Sequence, residues 1–461
     1  MFKTEVYVNR RKKLKKNFKS GALLFLGNDE SPMNYPANPF HFRQDSSFLY
    51  YWGLDEPGVA ALIDLDEGKE IIFGYDFTID DVVWMGPQPT LKERARKAGI
   101  KEVYPISKLE TAIRGIMNRG RKIHFLPPYR PENMIKLQNL LGIQASLIKN
   151  YASQKMIKAV VAQRSIKSQE EIQEIEFALD VAYDMHTYAM KYTRPGMYER
   201  QISGAIEGIA LAKGNGTSFP IIFSIHGETL HNHYHGNLMN KGDIAVNDSG
   251  AESLEHYASD ITRTIPVGGK FTAQQKEIYQ IVLDAQMQSI AAMKPGVKFR
   301  KAHLIAAKVI AGGLANLGFL KGDLDEIVKG GAHALFFPHG LGHHMGLDVH
   351  DMEDLGEEYV GYSDKVKRSD QFGLAYLRMA KELEAGHVMT VEPGIYFIPE
   401  LIDLWKSEKK FSEFINYSKV EKYRKFGGIR IEDNVLVTKN GHKVLGKPIP
   451  KKIQDVEAMW E

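Results

Sequence analysis

Two aspartates, Asp248 and Asp260, lie twelve positions apart in the stretch DIAVNDSGAESLEHYASDITRTIP, residues 243–266. The runs IAVND and HYASDITRTIPV read as strands, with SGAESLE as the turn between them. A hairpin centred on Leu254 would set the two aspartates opposite each other, with Cβ atoms about 4.5–5.5 Å apart. Like charges so placed repel, and burial raises the cost. A divalent cation is the simplest compensating charge. A solvated hairpin in another register is the alternative.

Two glutamates add to the acid. HVMTVEPGIYFI (387–398) reads as a strand with Glu392 at its centre, just before a Pro-Gly turn. GGIRIEDNVLVT (427–438) alternates, so that Arg430 and Glu432 share one face and Ile429 and Ile431 the other. An unpaired carboxylate in an apolar strand costs on the order of several kcal/mol or else protonates. Histidines cluster too. HGLGHHMGLDVHD (339–351) supplies His339, His343, His344 and His350, with glycines that imply close backbone approach, and LHNHYHG offers His231, His233 and His235. Seven of sixteen histidines in two short segments point to a site rather than to scattered surface positions.

Hard oxygen donors with imidazole and no thiol favour manganese, magnesium or a similar divalent ion over a structural zinc site. Four carboxylates carry too much negative charge for one small cation, whereas two cations sharing carboxylates neutralise it. The pattern predicts a two-metal hydrolase. Other chemistries lack their motifs: the chain has no GxSxG elbow, no Walker A loop and no HExxH helix.

The elements that must position these residues come from a chain of 461 residues, long enough for two domains. A composition of 43% hydrophobic and 25% charged residues is that of a globular protein, and a net charge of +3 gives no argument for nucleic acid or membrane binding. The absence of cysteine removes disulfides, thiolate zinc sites and cysteine nucleophiles, and suits a cytoplasmic location. The basic run NRRKKLKKNFK (9–19) lacks the apolar core of a signal peptide and reads as a solvated amphipathic helix. Residues 21 to about 160 read as an α/β unit with strands ALLFL, SSFLYYWG, VAALIDL, EIIFGY and KIHFL. The texture changes near residue 163, where Ser168 opens a capping box, SQEE. The expected domains are therefore 1–163 and 164–461.

The second domain repeats an order. Helices at 168–193 and 198–213 precede strands at 217–268; helices at 272–294 and 299–317 precede strands from 333 to 439. Such a duplication would give a pseudo-symmetric domain with a cleft between its halves. Residues 352–380 and 398–426 read as insertions that line or cover the site.

NDSGAE…YASDITRTIPVGGKFT, HGLGHHMGLDVHD, TVEPGIYF and GGIRIEDNV resemble, in order, the motifs of the pita-bread metallopeptidases. FRQDSSFLYYWG resembles the N-terminal domain of the Xaa-Pro aminopeptidase and prolidase branch. The resemblance implies an α/β (α+β) fold: an N-terminal α/β domain followed by a pseudo-symmetric pita-bread catalytic domain. It implies two divalent ions, most simply manganese, held by Asp248, Asp260, His343, Glu392 and Glu432, with Asp260 and Glu432 bridging. It implies Glu392 as proton shuttle, His231 and His350 as groups that contact substrate and stabilise the tetrahedral intermediate, and His339 near the substrate. His231 is chosen over His233 and His235. Arg430 would orient a carboxylate. The ending KKIQDVEAMWE resembles aminopeptidase P, whereas the insertion after GIYFI and the run LRMAKELEAGH resemble prolidases, whose carboxylate-binding arginine aligns with Arg378. The expected activity is cleavage of Xaa-Pro bonds at the N-termini of proline-containing peptides. An Xaa-Pro dipeptidase is the alternative, and a non-catalytic pita-bread binding module a further one. A homodimer or larger assembly is also implied.

Overall fold

The structure is a computed structural model that describes residues 1–460. The chain divides into two compact units: Met1–Arg164 with the short segment Asp354–Tyr359, and Ser165–Glu353 with the chain from Val360 on.

The first unit is built on a mixed five-stranded sheet. Its strands are β1 (Ala22–Leu26), β2 (Ala60–Asp64), β3 (Lys69–Gly74), β4 (Glu102–Pro105) and β5 (Ile123–His124), in the order β4-β3-β2-β1-β5. Leu24, Leu62 and Phe73 meet Ile113, Ile116 and Leu137 from helices packed on one face. One expected strand is a helix: SSFLYYW forms Ser46–Trp52, and all seven residues are buried. Apolar content alone cannot separate a buried strand from a buried helix. The ends decide, since Asp45 accepts from the Phe48 N–H as N-cap and Gly53 closes the helix at φ 62°. The basic run is only partly solvated. Its residues 9–15 lie in the helix Thr4–Lys15, whose Arg11 is fully buried and donates to Glu70 and to the Tyr51 and Ala98 carbonyls, and residues 16–19 follow the helix end.

The second unit holds the repeated order. Helices Gln169–Tyr192 and Glu199–Lys213 precede β6 (Ile222–Ser224), β7 (Ile244–Ser249) and β8 (Ile261–Pro266). Helices Ala273–Ala291 and Phe299–Asn316 precede β9 (Val388–Val391), β10 (Gly394–Tyr396), β11 (Gly428–Arg430), β12 (Asp433–Val437) and β13 (His442–Val444). The first helix of each half opens with the same device, a capping box at Ser168 with Glu171 and at Thr272 with Gln275. Each helix pair packs together and onto its own strands. The strands form sheets β6-β7-β8, β13-β12-β9 and β10-β11. Every residue of β7 and β8 is buried, including the polar Asn247, Asp248, Ser249, Thr262, Arg263 and Thr264, so these side chains must find partners inside the fold. The halves join where the Glu432 N–H donates to the Thr262 carbonyl at 3.0 Å.

Candidate active site

The aspartate hairpin forms, in a register shifted from the expected one. Asp248 pairs with Thr262, and the bridge between Glu252 and Ala258 continues that register, so the turn centres on Glu255. Asp260 therefore falls opposite Gly250 and diagonal to Asp248 on the same face, a spacing of about 7 Å. Gly250 shows why the strands close as they do: a Cβ there would sit 1.8 Å from the Ser259 carbonyl oxygen. The turn is not a solvated loop. Glu252 and His256 are buried and paired at 2.6 Å.

The glutamates are not at strand centres. Glu392 lies between β9 and β10, and Glu432 between β11 and β12. Asp433 pairs with Val391 on one side of these breaks and Gly394 with Arg430 on the other, one unbroken antiparallel register. Glu392 and Glu432 thus stand opposite each other where the ladder opens. The alternation expected for 427–438 carries across this break: Arg430 and Glu432 both reach Thr262 Oγ1 and line the same cavity, which Ile429 and Ile431 do not, even though the strand changes sheets between Arg430 and Asp433.

His343 arrives on a segment that runs along β9. Its N–H donates to Thr390 Oγ1 at 3.0 Å, and the Thr390 N–H donates to its carbonyl at 3.0 Å. The approach requires Gly342, where a Cβ would lie 2.1 Å from the Thr390 carbonyl oxygen. His343 Nδ1 lies 2.9 Å from the His344 carbonyl, which selects the tautomer with hydrogen on Nδ1. Nε2 then faces Asp260 Oδ2 at 3.4 Å and Glu392 Oε1 at 3.5 Å with its lone pair available. Asp260, His343 and Glu432 each bring one donor atom to within 4.8 Å of the others.

Arg430, buried, ties the halves together. It donates to Asp248 Oδ2 at 2.5 Å, to Thr262 Oγ1 at 3.1 Å and to the Tyr396 hydroxyl at 3.0 Å. Tyr396 also lies 2.8 Å from His339 Nε2, so one hydroxyl positions both an arginine and a histidine. His350 packs edge-on against His343, with ring centroids 4.2 Å apart, and its Nδ1 is 2.6 Å from Glu353. Glu353 also accepts from Arg378 at 2.5 Å. His231 lies close enough to Arg430, Asp248, His350 and Arg378 to feel their charges. His233 shares the cavity wall, while His235 is tied through Nδ1 to the Phe223 carbonyl at 3.1 Å.

All ten residues singled out from the sequence line one cavity of about 840 Å³: Asp248, Asp260, His343, Glu392, Glu432, His231, His339, His350, Arg378 and Arg430. Both insertions reach it, through Phe372, Tyr376 and Arg378 from the first and Ile398, Glu400, Leu401 and Leu404 from the second. Sequence reasoning missed the groups that orient the acids. Thr262 Oγ1 donates to Glu432 Oε2 at 2.7 Å, and Asn434 accepts from the Asp260 N–H and donates to its carbonyl. Thr262 lies two residues beyond Asp260, and Asn434 two beyond Glu432. That period-two spacing was the available signal.

Burial, and then their mutual repulsion, push the carboxyls of Asp260, Glu392 and Glu432 well above the usual carboxylate range; for Glu392 the Arg430 guanidinium works against this. Burial drives the His343 imidazole down to about 4, leaving it neutral and able to ligate. Asp248 Oδ1 and Glu432 Oε1 are buried without a hydrogen-bond partner. Orphaned carboxylate oxygens, crowded acids and a neutral imidazole with a directed lone pair fit divalent cations.

No described helix is long and apolar enough to cross a membrane. The metallopeptidase family M24 model matches residues 173–439, and the aminopeptidase P N-terminal domain model matches residues 7–124. The human Xaa-Pro dipeptidase is 30% identical over 467 residues, covering 97% of this chain and 90% of that protein. A probable Xaa-Pro aminopeptidase, pepP, of Aspergillus fumigatus is 32% identical over 433 residues, covering 91% of this chain and 88% of that protein. The structure of zinc-substituted E. coli aminopeptidase P in complex with product superposes with TM-score 0.81 at 28% identity, covering 99% of this chain and 98% of that one. With a family match across more than half its length and such relatives along nearly all of it, the chain belongs to the pita-bread metallopeptidase family M24, in the aminopeptidase P and prolidase branch, and is a metallo-exopeptidase.

Proposed function

We propose that the enzyme removes the first residue from peptides whose second residue is proline, as an Xaa-Pro aminopeptidase using two divalent ions, manganese first among them. The observation that carries this reading is the convergence of Asp248, Asp260, His343, Glu392 and Glu432 on the wall of one cavity, with two carboxylate oxygens left without partners. These five residues would hold the ions, with Asp260 and Glu432 shared between them. Bound there, divalent cations polarise the scissile carbonyl and bring the ionisation of a water close to neutral pH.

The chain's own residues do the rest. Glu392 takes the proton from the attacking water and delivers it to the leaving proline nitrogen, a role that its place on the cavity wall beside His343 permits. His231 and His350 stabilise the negative charge that develops on the carbonyl oxygen. Arg430 directs Asp248 through a hydrogen bond, and Tyr396 holds His339 against the substrate side of the cavity.

An Xaa-Pro dipeptidase is the second reading, favoured by Arg378 in the cavity wall, where a guanidinium could receive a dipeptide's carboxylate. The aminopeptidase is preferred because Glu353 already engages that guanidinium. A cytoplasmic, homodimeric or larger enzyme without nucleic-acid or membrane partners is in keeping with the lack of cysteine and the small net charge. The test is hydrolysis of Ala-Pro, Ala-Pro-Ala and Ala-Ala-Ala by protein stripped of metal and reloaded with manganese. Metal-dependent cleavage of Ala-Pro-Ala above the others is expected. Cleavage of Ala-Pro alone would establish the dipeptidase, and no metal-dependent cleavage of any would overturn both readings.

A further inference from the structure

Arg378 and Arg430 are the two fixed cations among the described residues of the cavity wall. Arg430 is spent inside, on Asp248, Tyr396 and Thr262. Arg378 is therefore the cation that an incoming carboxylate would meet, and it lies near enough to Glu392 and His343 to act on their charge states. Glu353 reaches it first. One Glu353 oxygen accepts from Arg378 at 2.5 Å and the other lies 2.6 Å from His350 Nδ1, so a single carboxylate bridges two cavity-facing groups.

The backbone holds Glu353 in that place. Met352 sits at φ 64°, a conformation non-glycine residues rarely adopt, and the Glu353 N–H turns back to the His350 carbonyl at 3.2 Å. The hydrogen-bond partners of the Glu353 carboxylate are His350 and Arg378, neither of them among the five proposed metal ligands.

We propose that Glu353 is a specificity-determining residue: its carboxylate occupies Arg378 in the manner of a substrate carboxylate and so selects against dipeptides. This rests on the Xaa-Pro reading. In an Xaa-Pro dipeptide the negative charge lies one residue beyond the scissile bond, and to reach Arg378 it must displace Glu353. A longer peptide carries a neutral amide at that point and competes for nothing. Through its other oxygen Glu353 positions His350, an effect common to every substrate.

The experiment compares kcat/KM for Ala-Pro, for Ala-Pro amidated at its C-terminus, and for Ala-Pro-Ala, in the manganese-loaded full chain. In Glu353→Gln and Glu353→Ala, the preference for Ala-Pro over its amide should rise roughly fivefold, the weight of a half-exposed ion pair near 1 kcal/mol. Any loss of His350 positioning falls on all three substrates and cancels in the ratio. In an Arg378→Ala background the same Glu353 changes should leave the ratio where it was. An unchanged ratio in both single variants, or an equal shift without Arg378, overturns the inference alone. A wild type that cleaves none of the three overturns the Xaa-Pro reading and the inference with it.

Discussion

The two strand pairs that carry the carboxylates present them differently. In the first half, Asp248 stands inside the β7–β8 ladder, and Asp260 lies one residue before β8, diagonal to it, with its N–H turned to Asn434. In the second half both strands break, and the longer glutamates face each other where their own N–H groups leave the ladder for the Leu341 and Thr262 carbonyls. The diagonal still lets the aspartate carboxyls meet within hydrogen-bond reach, and the glutamates face each other across the break. Neither arrangement holds itself in place. Asp248 is fixed by Arg430, and the Asp260 backbone by Asn434, both from the second half. Glu432 is fixed by Thr262 from the first half. The halves are cross-braced at three of the four acids; the fourth, Glu392, accepts from Thr390 of its own half.

The largest test of this comparison removes an acid from each half. Asp260→Asn and Glu432→Gln should each lower metal affinity and kcat/KM by more than about a hundredfold, beyond what loss of a supporting group costs. A loss confined to one half would show that the halves do not share the ions. Next come the braces. Thr262→Val and Asn434→Ala should cost roughly ten- to a hundredfold in metal affinity, measured by calorimetric titration, while far-UV circular dichroism stays unchanged. No loss in either would leave the cross-bracing without energetic content.

Metal loading should also release protons. Asp260, Glu392 and Glu432 are pushed above the usual carboxylate range in the metal-free chain, so as pH rises toward neutral they hold protons longer than ordinary carboxylates do, and cations must displace what they hold. His343, brought down to about 4, is already neutral there and releases none. Titrations in two buffers of different ionisation enthalpy should show net proton release that shrinks as pH rises and those carboxyls ionise. Uptake, or no exchange, would contradict the assigned charge states. The smallest effect belongs to the hairpin turn. Glu252→Gln should destabilise the fold by about 1–3 kcal/mol, because His256 would lose a buried charged partner, without changing metal stoichiometry. Glu255→Gln, outside the buried pair, should stay within about 0.5 kcal/mol. Urea unfolding of both variants checks this.

The carboxylates and histidines were legible because their chemistry is local: an acid in a buried strand, or histidines among glycines, is costly wherever the chain goes. Register was not legible in the same way. The hairpin turn shifted by one residue, from Leu254 to Glu255, because the Gly250 and Ser259 backbones approach more closely than any side chain allows. The breaks at Glu392 and Glu432 arise from strands changing partners, which no single strand's alternation records. SSFLYYW reads as strand or helix until its caps are weighed. Glu353 was missed because its partners, His350 and Arg378, stand on different segments that meet only in the fold.

The most direct test of the central claim is the number of metal ions each chain binds. Stripped protein titrated with manganese should take up two ions per chain, and Asp260→Asn and Glu432→Gln should each fall below two. Two ions retained in either variant, or a single ion in the wild type, would contradict a site shared across the two halves.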